Sequence, residues 1–105
     1  MLARRVMTRS GASAINFIDL VDVPPAASIG LHRHDLHDEE IYVIISGTGR
    51  MIIDGIERPV APGDVLLNGP CGAHSLFNDG EIPIRIIVVD IAINGMPYVE
   101  PEDLA

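Results

Sequence analysis

Apolar residues in this chain come in short runs, and a helical period is hard to find in any of them. The runs are "INFIDLVDV" (15–23), "SIGLHRH" (28–34), "EIYVIIS" (40–46), "GRMIID" (49–54), "GIERPV" (55–60), "DVLL" (64–67), "HSLF" (74–77) and "IRIIVVDIAI" (84–93). Each is of strand length, and Gly, Pro, Asp and Asn separate them. Ile, Val and Leu dominate the runs, a mix that suits a pleated surface better than a helix. Asp54-Gly55 lies between two runs and predicts a two-residue hairpin. "SGTG" (46–49) and "APGD" (61–64) predict turns, and Asn78-Asp79-Gly80 with Pro83 punctuates the approach to the last run. Many short strands at regular spacing predict an all-β sandwich or barrel.

A length of 105 residues predicts one domain spanning 1–105. Residues 1–13 and 94–105 read as extended termini, the latter carrying two prolines. The formal charge is −8, with seven arginines and no lysine. A nucleic acid needs a basic face, so a nucleic-acid partner is not expected, and neither is an anionic membrane surface. Schiff-base catalysis from a lysine is excluded. The longest apolar run is interrupted by Arg85 and Asp90 and is too short to span a bilayer. Cys71 is the only cysteine, which excludes an internal disulfide and points to a reducing, cytoplasmic setting. Cys71 itself reads as a small buried residue in a turn.

Three of the four histidines fall within six positions. His32, His34 and His37 are followed at once by Glu39 and Glu40, while His74 lies far downstream. If His32 and His34 lie on a strand, both side chains leave one face. Glu40 opens the next strand after a short connection, so an antiparallel return brings it back to the same place. His74 opens another strand, and a barrel could bring all four together. Three imidazoles and a carboxylate suit a divalent transition metal (Fe, Mn, Ni, Zn, Cu or Co) far better than calcium or magnesium. Four protein ligands on an octahedral ion leave two positions for a substrate. The competing reading is ordinary: exposed histidines and a solvated acidic pair.

The stretch 30–47 resembles the first motif of the cupin superfamily, and 63–78 resembles the second. His32 and His34 match the paired histidines, and Glu40 with six residues to Gly47 matches the remainder. Gly63, His74 and Asn78 keep the spacing of the second motif. Five residues separate His34 from Glu40, where the motif usually has three or four; counted to Glu39 the gap is regular, but the run to Gly47 is one residue too long. Adjacent strand residues face opposite sides, so one of the two glutamates points inward; the spacing to Gly47 selects Glu40. Gly69 and Cys71 stand where the second motif usually has proline and glycine.

The resemblance implies a jelly-roll β-barrel, also called a double-stranded β-helix. It implies a metal held by His32, His34, Glu40 and His74, and a homodimer built through sheet edges. It also implies a metalloenzyme acting on a small oxygen-bearing molecule, with dioxygenase- or oxidase-like chemistry favoured over decarboxylation or isomerisation. The alternative is a binding or sensing module for a small molecule such as a sugar, in which the metal braces the barrel. Tyr42 shares the Glu40 face, where it either packs in the interior or aims its hydroxyl at substrate. His37 is either a plain loop residue or, in the sharper reading, an extra ligand or an acid/base group at the rim. Asn78 is expected to fix a turn.

Overall fold

The computed structural model describes residues 2–33, 38–69 and 73–93, with 30–33 as backbone. Nine strands run through the described residues: β1 (Leu2–Thr8), β2 (Ile15–Val23), β3 (Ser28–Arg33), β4 (Asp38–Ser46), β5 (Gly49–Ile53), β6 (Ile56–Val60), β7 (Val65–Asn68), β8 (Ala73–Phe77) and β9 (Ile84–Ala92). They form a five-stranded sheet of order β1-β2-β9-β4-β7 and a four-stranded sheet of order β3-β8-β5-β6. Every pairing is antiparallel. Two such sheets closing on one interior make the expected jelly roll. No helix among the described residues is long and apolar enough to cross a membrane.

Alternation along the strands builds the interior. Ile84, Ile86, Val88 and Asp90 of β9 are buried, as are Asp38, Glu40, Tyr42 and Ile44 of β4. Met51, Val60 and Leu76 face them from the other sheet as part of the same apolar cluster. Leu76, Ile84 and Ile86 are wholly buried, each contributing about 1.5–3 kcal/mol by leaving water.

Three local devices hold the register. Asp54 and Gly55 both have positive φ, 49° and 82°, as a tight hairpin between β5 and β6 requires. Gly47 has φ 81°, and a Cβ there would overlap the Pro83 carbonyl oxygen. Asn78 is fully buried and, as expected, fixes a turn. Its amide nitrogen donates to the Val23 and Ile82 carbonyls at 2.9 and 2.8 Å, and its oxygen accepts from the Gly80 N–H at 2.9 Å.

Two elements differ from the sequence reading. Residues 2–8, read only as extended, form β1 and pair along β2. Strand β4 begins at Asp38, two residues before the apolar run, because β9 continues to Ala92 and offers it a partner. Residues 94–105 lie outside the described residues.

Candidate functional site at the polar end of the barrel

The buried side chains segregate by end. Along β4 the inward series runs from Asp38 and Glu40 to Tyr42 and Ile44. Antiparallel β9 runs the opposite way, from Ile84 to Asp90, and its register sets Glu40 opposite Asp90. On the other side of β4, Glu40 is opposite Asn68, the last residue of β7. Strand β2 contributes Asn16 through a register shift between Ile15 and Phe17. This bulge allows the consecutive residues Asn16 and Phe17 both to be buried. One end of the interior is therefore polar, which is costly to build and calls for an explanation.

His74 enters this end from the facing sheet. It is 1% exposed. Its backbone is set by the hairpin: the Asp54 N–H donates to the Ala73 carbonyl at 2.9 Å, and the Ala73 N–H donates to Asp54 Oδ1 at 3.0 Å. In register, His74 lies between His32 of β3 and Ile53 of β5. Its Nε2 lies 3.5 Å from Glu40 Oε1, across the interior. The His74 ring meets Tyr42 edge-on, with centroids 5.5 Å apart. Glu39, by contrast, is opposite Ile91 and half-exposed.

Electrostatics divides the polar residues by role. Burial, and after it the Glu40 charge, raises the Tyr42 hydroxyl far above its ordinary pKa, so it stays protonated. Burial raises the Asp90 carboxyl well above the carboxylate range, helped by a hydrogen bond with Asp38 and by the charges of Asp38 and Glu40. The Asn16 amide donates to Asp90 Oδ1 at 2.8 Å and acts in the opposite direction. Asn68 is different. Among the described residues both atoms of its buried side-chain amide lack a hydrogen-bond partner, an arrangement costing about 1–3 kcal/mol.

The donors present are an imidazole nitrogen and a carboxylate oxygen, the chemistry expected for a borderline metal. Bonds from such a metal to these atoms are about 2.0–2.2 Å, so neighbouring ligand atoms lie about 3 Å or slightly more apart. The Glu40–His74 separation fits that spacing. Among the described residues, no group of three or more His, Cys, Asp or Glu side chains is arranged to hold a metal. Of the expected ligands, His34 lies outside the described residues, and His32 is described as backbone. His37 and Cys71 also lie outside them.

A cleft of about 310 Å³ opens between the β5–β6 hairpin and β7, walled by Met51, Ile53, Ile56, Val65, Leu66 and Leu67 with Asp54 and Arg58. Ile53 is the strand neighbour of His74, and Leu66 that of Tyr42. None of the buried polar side chains of the site lines this cleft.

Sequence reasoning missed Asp38, Asn68, Asp90 and Asn16. For two of them a signal was present. Asp90 is in phase with Ile84, Ile86 and Val88, and Asp38 with Tyr42 and Ile44. A carboxyl group in step with an apolar face is a buried carboxyl group if the strand holds its register.

Comparison with known proteins gives four findings. Residues 19–90 match the cupin domain family (Cupin_2). A Thermotoga maritima protein named oxalate-binding protein is 34% identical over 71 residues, which cover 68% of this chain and 58% of that protein. The chain thus spans less than two thirds of that relative. The crystal structure of a predicted oxalate decarboxylase from Thermotoga maritima superposes with a TM-score of 0.73 at 30% identity, covering 76% of this chain and 69% of that one. A Cupin 2 conserved barrel domain protein from Salinispora arenicola gives 0.72 at 26% identity, covering 85% and 73%.

Proposed function

The chain belongs to the cupin domain family, and from that premise we propose that it holds a divalent transition metal at the polar end of its barrel and uses it to bind a small organic acid. One observation carries this reading. Glu40 and His74, far apart in sequence and on opposite sheets, bring buried ligand-type atoms within 3.5 Å of each other. His32, opposite His74 in register, and His34 would complete the set. A metal bound there would act as a Lewis acid on a carboxylate or carbonyl oxygen.

The rest is the work of this chain's own residues. The apolar wall below Tyr42 keeps the site dry, which strengthens each polar contact in it. Tyr42, held protonated, offers a hydrogen-bond donor or simply packs. The ligand class rests on Thermotoga maritima matches, a curated relative and a solved structure, whose names refer to oxalate. For turnover, loss of carbon dioxide stands beside the oxidative chemistry favoured from sequence. Binding without turnover is the second reading, and the name of the oxalate-binding relative favours it. One domain of this kind accounts for the chain, and its exposed apolar edge residues Leu2, Val65 and Leu67 suit pairing with a second copy.

The test is elemental analysis of untagged protein, followed by calorimetric titration of chelator-stripped protein with Mn²⁺ and Zn²⁺. Glu40→Ala is expected to weaken uptake by about 100-fold or more, the effect of losing a direct ligand where an outer partner costs 10–100-fold. Glu39→Ala should stay within threefold of wild type. Equal loss in both variants, or no uptake by wild type, refutes the site. Oxygen-uptake and carbon-dioxide-release assays on oxalate and related acids then separate turnover from binding alone.

A further inference from the structure

We infer that Asn68 is a ligand-binding residue, whose amide hydrogen-bonds a small carboxylate bound beside Glu40. The inference rests on the metal-site reading above. Asn68 closes β7 directly opposite Glu40. Residues opposite one another on paired strands share a face, and Glu40 is inward, so Asn68 is inward too. It is 1% exposed. Among the described residues neither Oδ1 nor Nδ2 has a hydrogen-bond partner.

The other two buried asparagines set the contrast. Asn78 uses both amide atoms to hold its turn, and Asn16 donates through its nitrogen to Asp90, leaving only its Oδ1 without a partner among the described residues. Both serve the fold. Among the described residues the Asn68 side chain bonds neither a backbone group nor another side chain, so its amide holds none of the described strands in place. Asparagine is also a poor strand residue, and leucine of similar size would pack at this position without an unpaired polar group. An amide retained there serves something that arrives from outside the chain. Its nitrogen can donate two hydrogen bonds and its oxygen can accept. A carboxylate oxygen takes the donor; a hydroxyl on the neighbouring carbon, as in a 2-hydroxy acid, also supplies the acceptor with a partner.

The experiment compares Asn68→Leu and Asn68→Ala with wild type in three measurements. These are Mn²⁺ titration, titration of the Mn²⁺-loaded protein with oxalate and with glycolate, and melting temperature of the chelator-stripped protein. The leucine variant should bind Mn²⁺ within threefold of wild type, melt at the same or a higher temperature, and bind both acids at least tenfold more weakly. A structural role predicts the reverse: a lower melting temperature with acid binding retained, or failure of both variants to fold. Either result overturns the inference. So does a wild-type protein that takes up Mn²⁺ and binds neither acid. A wild-type protein that takes up no metal brings down the metal site itself, which distinguishes the two failures.

Discussion

Replacing Asp90 by asparagine should remove that residue's contribution to the pH dependence of stability. In the unfolded chain Asp90 loses its proton near the ordinary carboxylate value of 3.8; in the fold, burial and the neighbouring carboxyl groups push it up to about 8. Between those values the native state holds one proton more than the unfolded state. Stability linked to this group is therefore complete below pH 4, declines as pH rises, and is lost above pH 8. One proton corresponds to about 1.4 kcal/mol per pH unit. The amide introduced by Asp90→Asn would mimic the protonated acid: its oxygen keeps the bond from Asn16, its nitrogen can donate to Asp38, and it does not titrate. Urea unfolding of chelator-stripped protein, followed by far-ultraviolet circular dichroism from pH 5 to pH 7, gives the measurement. The stability of wild type minus that of Asp90→Asn should fall by up to about 3 kcal/mol over those two units. A difference that stays constant across this range would mean that Asp90 is ionised in the fold, and the account of the buried carboxyl groups would be wrong.

Two further outcomes test how the ends of the strands are held. Gly47→Ala should cost about 3 kcal/mol, combining a left-handed backbone with overlap on the Pro83 carbonyl, whereas Gly55→Ala, with open space around it, should cost about 1–2 kcal/mol; equal melting-temperature losses would remove the overlap from the explanation. Asn78→Ala removes three hydrogen bonds from a fully buried side chain, and a loss of about 3 kcal/mol is expected in denaturant unfolding; a loss below about 1 kcal/mol would show that water replaces the amide.

Much of this protein is determined locally and can be read along the chain. Strand lengths, the Asp54-Gly55 hairpin and the turn that Asn78 closes on Gly80 and Ile82 follow from residues within a few positions of each other. Alternation with a period of two says that one of Glu39 and Glu40 faces inward, and the resemblance to the first cupin motif, with its spacing to Gly47, selects Glu40. That period gives a face and nothing more. It does not say which strand of the other sheet lies across the interior, nor at what height. The meeting of His74 with Glu40 needed the two sheets to close. The contact of Asp90 with Asp38 needed β9 to run antiparallel beside β4, and the placing of Asn68 against Glu40 needed β7 on its other side. These are pairings between distant segments, fixed by how the apolar end packs, and only the tertiary structure decides which polar groups that packing leaves together.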